Sequence, residues 1–201
     1  MKQRKSLRRQ NHGARNAIVL VVFFVFAIST VVFVMVRTNG QDSTTLIAGE
    51  EAPAFLLTST NGTPFNLSSY LGKSDVLLFF NEGLTCSPCL QQMVDIDRSY
   101  SEFSKMGITV VSITTNSMGD MRTWAQNNGI RMMPILPDQS LQVDKEYSTL
   151  YAGSMHSGSA PGHTFILVGK DGNVLWRKDY GTYTMYVQMN ELIASVKSAL
   201  G

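Results

Sequence analysis

Cysteine is nearly absent: the 201 residues hold two, Cys86 and Cys89, alongside three histidines. So small a set excludes a disulfide-stapled scaffold. It also argues against a structural zinc module, because Cys-x-x-Cys supplies half of the four ligands such a site needs, and His156 and His163 lack the usual paired spacing. Acidic residues are missing before Asp42, whereas Lys2, Arg4, Lys5, Arg8, Arg9 and Arg15 all precede it. Internal repeats and low-complexity tracts are missing throughout, which removes solenoids and disordered arrays.

Charge, glycine and proline are all lacking from Ala17 to Val36 (AIVLVVFFVFAISTVVFVMV). At about 1.5 Å rise per residue, a helix of this length crosses the roughly 30 Å hydrocarbon core of a bilayer. A cleaved signal peptide would have an apolar core of about 7–15 residues and a small-residue cleavage site. Here Arg37-Thr38-Asn39-Gly40-Gln41 follows, without an Ala-x-Ala pattern and without a nearby cysteine to carry a lipid. The expectation is a basic segment over 1–16, an uncleaved single-pass transmembrane helix over 17–36 and a polar linker over 37–48.

Arg37 is the sole Lys or Arg between the apolar run and Lys73. The positive-inside rule therefore places the N-terminus in the cytoplasm and the rest of the chain outside it. The basic run abuts the apolar one, so it reads as a topology signal; no nucleic-acid partner is expected, and lipid is contacted through 17–36. An extracytoplasmic compartment lets disulfides form and persist. The 44% hydrophobic content is inflated by the apolar run, and what remains is an ordinary soluble domain large enough to bury a core.

Within that domain, Ala54-Phe55-Leu56-Leu57 and Pro64-Phe65-Asn66-Leu67 flank the turn signal Asn61-Gly62, predicting a hairpin. Asp75 to Asn81 (DVLLFFN) is the continuous apolar run of a strand covered on both faces. From Ser87 to about Met106, Leu90, Met93, Val94, Tyr100, Phe103 and Met106 recur at helical spacing, predicting one amphipathic helix. Ile108 to Thr115 is rich in β-branched residues and predicts a strand parallel to the first, and Gly119 to Asn128 a helix. Thr164 to Val168 and Asn173 to Trp176 predict a hairpin around Gly169-Lys170-Asp171-Gly172, and Met189 to Leu200 a last helix. Strand, helix, strand, helix, hairpin, helix is the order of an α/β sandwich with a mixed central sheet flanked by helices, the thioredoxin-like plan.

Cys-Ser-Pro-Cys falls between the buried strand and the first helix. A helix N-terminus presents unpaired N–H groups and the positive end of its dipole to Cys86, which favours the thiolate. In such motifs the thiol pKa falls from near 8.5 into the range of about 3.5 to 7.5. Cys86 is thus the expected attacking sulfur, and Cys89, one turn on, the resolving one. A purely structural role explains the pair poorly, because closing a four-residue loop constrains the unfolded chain by only about 2 kcal/mol. Inert core thiols would need both cysteines buried, and Thr85, Ser87 and Pro88 instead suggest a polar, exposed turn. Glu82, four residues before Cys86, is a candidate proton shuttle to the resolving thiol if it is buried.

The stretches Gly49-Glu50-Glu51-Ala52-Pro53-Ala54-Phe55, Asn66-Leu67-Ser68, Gly72-Lys73, the strand into CSPC and HTFILVGKDGNVLW from His163 to Trp176 carry a resemblance. Over about residues 48 to 200 the chain resembles the alkyl hydroperoxide reductase/thiol-specific antioxidant (redoxin) branch of the thioredoxin superfamily, in its membrane-tethered form. The resemblance implies a thiol–disulfide oxidoreductase. A protein dithiol or disulfide would be its substrate, a membrane electron-donor protein its reductant, and the Cys86–Cys89 pair its only redox group. Pro88 matches the proline that thioredoxins and cytochrome-maturation proteins carry before the second cysteine.

Pro161 lies one residue before the place where thioredoxins put a cis-proline opposite the cysteines. Peroxiredoxins carry Pro and Thr or Ser seven and three residues before their peroxidatic cysteine. Counted from Cys86 those positions hold Phe79 and Gly83, and from Cys89 they hold Glu82 and Cys86. The arginine such peroxidases place before the late strand is replaced by Gly162. Membrane-tethered copper chaperones of the Sco type also resemble this arrangement, with two cysteines and a distal histidine opening the late strand. That likeness implies copper held by Cys86, Cys89 and His163 as an alternative to an enzyme without a metal, and a thiol peroxidase is a further alternative. Sco proteins have three residues between their cysteines where this chain has two, and Met155 with His156 lies in a Gly/Ser-rich loop nearby.

Overall fold

An uninterrupted apolar strand must be covered on both faces, and Asp75–Asn81 is buried along its whole length at the centre of the sheet. The structure, a computed structural model, describes residues 46–150, 158–180 and 185–201. The basic segment 1–16, the apolar run 17–36, residues 37–45 of the linker 37–48, and Met155 with His156 lie outside the described residues. Among the described residues, no helix is long and apolar enough to cross a membrane.

Strands β1 (Leu56–Thr58) and β2 (Pro64–Asn66) form the expected hairpin, with Leu57 opposite Phe65. Gly62 closes the turn at φ +89, a conformation costly for any residue with a Cβ. The main sheet comprises β3 (Asp75–Asn81), β4 (Ile108–Thr114), β5 (Ile135–Pro137), β6 (His163–Val168) and β7 (Val174–Tyr180), in spatial order β5-β4-β3-β6-β7. β3 pairs in parallel with β4, and β4 with β5, while β6 runs antiparallel to both β3 and β7. The expected mixed sheet and late hairpin are both present.

Alternation along β3 divides the core. Leu77 and Phe79 face one side, with Val110, Phe165 and Leu167, under helices α1 (Ser87–Arg98), α2 (Tyr100–Lys105), α3 (Met118–Asn127) and α5 (Met189–Leu200). Val76, Leu78 and Phe80 face the other, with Ile113 and Ile166, beneath Phe55 and Phe65 of the hairpin region and Val143 of α4 (Gln142–Glu146).

Two expectations need correction. The helix expected over 87 to 106 is two helices, with the backbone turned at Ser99 (φ −93, ψ 7). Apolar spacing does not register this bend, because Met93 and Ile96 before it and Phe103 after it all reach the same face of the sheet. Asp97 holds the bend from outside, its carboxylate accepting the backbone N–H groups of Arg131, Met132 and Met133 at 3.2, 2.7 and 2.8 Å. The last strand also extends past Trp176 to Tyr180. Its polar stretch continues the strand because Arg177, instead of facing water, donates to the carbonyls of Tyr147 (2.7 Å) and Ser148 (2.9 Å) and to Asp179 (2.8 Å). β5 and α4 have no counterpart in the sequence reading, since three and five residues are too few to show a period.

Candidate redox site

β3 ends at Asn81, and the chain must turn at once to place a helix on the sheet. Asn81 holds that turn: its amide donates to Ser112 Oγ on β4 at 2.8 Å, and its Oδ1 accepts the N–H of Gly83 at 3.0 Å. Gly83 sits at φ +63, and a Cβ there would lie 1.8 Å from Asn116 Oδ1. That oxygen is already engaged, accepting the N–H of Leu84 at 2.8 Å. The turn therefore requires both the glycine conformation and its missing side chain. Neither asparagine was singled out in the sequence; polar residues just past an apolar run are the only signal they leave.

Out of this turn α1 begins with Cys86 as its N-cap, and Pro88 stands in the first turn, where its missing N–H costs nothing. Cys86 and Cys89 are joined as a disulfide, with Cα atoms 5.2 Å apart. Cys86 Sγ accepts the backbone N–H of Cys89 at 3.2 Å, so one of the free donors of the helix end is given to this sulfur. The helix dipole and that hydrogen bond both stabilise negative charge on Cys86.

The exposed turn expected around the motif is half right. Leu84, Thr85, Ser87 and Pro88 are exposed, yet Cys86 and Cys89 are each 0% exposed. The cysteines are the capping and first-turn positions that face inward, and Met185 packs on them from the segment before α5. Nothing in the sequence links Met185 to the motif, because almost a hundred residues separate them.

His163 opens β6, 1% exposed, with Nδ1 3.6 Å from Cys89 Sγ. The rings of Phe79, Phe165 and Tyr180 surround it at centroid distances of 4.6, 5.4 and 6.0 Å. Burial pushes its pKa down from 6.5 to about 3, so the ring is neutral. Its Nε2 has no hydrogen-bond partner among the described residues. Glu82 is 1% exposed in the turn after β3, and Thr85 Oγ1 donates to its backbone carbonyl at 3.2 Å. Pro161 is buried ahead of β6, and every peptide bond among the described residues is trans. The structure thus gathers Cys86, Cys89 and His163 at one point.

The copper set implied by the Sco likeness is this same trio. In the disulfide form the two sulfurs are bonded to each other and do not offer the thiolate pair that copper requires. At the positions where peroxidases carry Pro and Thr, Phe79 stacks on Phe165 at 4.5 Å and Gly83 turns the chain. Neither supplies a hydroxyl.

The model of the AhpC/TSA family matches residues 48–177. The thiol–disulfide oxidoreductase ResA of Geobacillus kaustophilus is 27% identical over 168 residues, spanning 83% of this chain and 86% of ResA. A Mycobacterium tuberculosis protein named for the peroxiredoxins is 26% identical over 136 residues, covering 66% of this chain and 85% of its own length. Among solved structures, the peroxidoxin BcpB of Mycobacterium tuberculosis shares the fold with a TM-score of 0.65 at 20% identity, over 76% of this chain and 97% of BcpB.

Proposed function

This chain belongs to the AhpC/TSA family, and from that membership we propose that it is a membrane-anchored, extracytoplasmic thiol–disulfide oxidoreductase acting on protein dithiols or disulfides. The observation that carries the reading is the joined Cys86–Cys89 pair at the N-terminus of α1, with Cys86 Sγ taking the N–H of Cys89. The similarity to ResA supports the same chemistry.

In the reduced form the Cys86 thiolate attacks a disulfide of the partner protein, and Cys89 then displaces the partner from the mixed disulfide. A membrane electron-donor protein returns the pair to the dithiol. Because both cysteines are fully covered, covering side chains, Met185 among them, move aside before a partner's sulfur reaches Cys86. Pro88 leans the motif towards reduction.

The anchor at 17–36 and the extracytoplasmic placement rest on the apolar run and the charge asymmetry around it. Carbonate extraction, with protease protection of the folded domain, tests them; release into the soluble fraction overturns them. Equilibrating the full chain in glutathione or dithiothreitol buffers tests the chemistry. The expected result is a reversible two-electron couple and reduction of a protein disulfide that Cys86→Ser abolishes. A pair that does not cycle, in a reduced chain that retains copper, would establish the carrier reading instead, and steady hydrogen peroxide turnover the peroxidase one.

A further inference from the structure

The helix end serves one sulfur of the pair. Its N–H at Cys89 is given to Cys86 Sγ, so Cys89 is left inside the first turn without that donor. A buried thiol in apolar surroundings resists ionisation, yet the resolving step needs a thiolate at this position. The polar side-chain atom set against Cys89 Sγ is His163 Nδ1, at 3.6 Å, within hydrogen-bond reach for sulfur.

We infer that His163 is a catalytic residue of the resolving step, its neutral ring donating the Nδ1–H to Cys89 and stabilising that sulfur as the attacking thiolate once Cys89 has given up its proton. This assignment rests on the oxidoreductase reading. The tautomer follows from the other side of the ring. Nε2 has no partner among the described residues, and a buried N–H without an acceptor is the costlier of the two orphans, so the hydrogen belongs on Nδ1. In the disulfide form burial keeps the ring neutral. Tyr180 on β7 packs against the ring, its phenol kept protonated by burial and Lys178 Nζ lying 5.7 Å from its centre, and Glu82 is buried in the turn after β3.

The proton and electron balance gives the ring no part beyond this bond. Cys86 loses its proton to water and attacks one partner sulfur. The partner's disulfide breaks, and the other sulfur, released as a thiolate, takes the proton of Cys89. Cys89 then bonds to Cys86, the bond from Cys86 to the partner breaks, and its electron pair leaves on the partner's second sulfur, which takes a proton from water. Two electrons pass from the dithiol to the partner, and His163 gains and loses none.

The test mixes the reduced full chain with one equivalent of an aromatic disulfide whose released thiol is acidic enough to stay a coloured thiolate, the proton of Cys89 then passing to water, so that attack and resolution appear as successive phases. In His163→Leu the first phase is unchanged. The second slows by about 10- to 100-fold, the range covered by a hydrogen bond to a charged group, and its pH profile moves to higher pH. His163→Asn, which keeps a short N–H donor, recovers part of the rate. As a measurement independent of how the leucine variant folds, Cys89 in a Cys86→Ser chain ionises below the ordinary thiol value of about 8.5 by thiolate absorbance. A second phase in His163→Leu with wild-type rate and pH profile, or a Cys89 value at or above about 8.5, overturns this assignment alone. A wild-type chain that releases no thiolate overturns the oxidoreductase reading itself.

Discussion

Two buried groups give this domain a pH dependence that is concealed in the wild-type protein and exposed by removing either one. His163 titrates at 6.5 when unfolded and at about 3 when folded, because burial disfavours the imidazolium. Between those values the unfolded chain binds a proton that the folded one refuses, so stability rises with pH across the window. At about 1.36 kcal/mol per pH unit, the full span amounts to about 5 kcal/mol. Asp144 has the opposite sign. Burial first, and the neighbouring Asp138 second, raise its carboxyl from 3.8 to about 7, against the pull of a 2.8 Å hydrogen bond from Thr149 Oγ1. Between those values the folded chain holds a proton that the unfolded one has lost, so stability falls as pH rises, by about 4 kcal/mol over the span.

From about pH 4 to about 6.5 the folded state therefore carries one proton on Asp144 and the unfolded state one on His163, and the two slopes cancel. Asp144→Asn leaves the histidine slope: stability climbs relative to wild type by about 2 kcal/mol between about pH 4.5 and about pH 6. His163→Asn leaves the aspartate slope and loses about 2 kcal/mol over the same interval. Subtracting wild type removes the contribution of the other carboxylates. The assay is urea unfolding of the oxidised full chain, followed by the fluorescence of Trp124 and Trp176. Two variants that both keep the wild-type pH dependence would refute the argument, since neither group would then be titrating away from its ordinary value.

Further expectations concern the scaffold around the site. Asp97→Ala removes an acceptor shared by three backbone N–H groups and should cost about 2–3 kcal/mol in urea unfolding, with the thiol chemistry unchanged; a loss below about 0.5 kcal/mol would mean that water replaces the carboxylate. Gly83→Ala drives a Cβ into Asn116 Oδ1 at a positive φ and should both destabilise the domain by at least about 1–3 kcal/mol and slow disulfide reduction by dithiothreitol. Wild-type reduction kinetics in that variant would show that the turn does not position Cys86.

The legible parts of the fold were those with a long or repeated signal. DVLLFFN was read with the bounds it has, because seven consecutive buried residues leave a continuous run, and the last helix likewise, because its apolar stripe is complete. The opening hairpin was readable from Asn61-Gly62, where backbone chemistry is local. The bend at Ser99 was not, because both halves present apolar residues to the same face, and β5 and α4 were not, because their lengths fall below any period.

The site divides in the same way. Sequence alone pointed to the chemistry: two cysteines, three residues apart, at a strand-to-helix junction read as a redox pair, because the helix N-terminus acts on the residue that caps it. What only the tertiary structure decided is the environment of the pair. Pairing β6 beside β3 puts His163 against Cys89 across 74 residues of chain, and the segment before α5 brings Met185 into one buried cluster with the two cysteines. Capping, turns and periodicity act within a few residues and are written in local order, whereas solvent exclusion and the contact between an imidazole and a sulfur exist only once distant strands have been brought together in register.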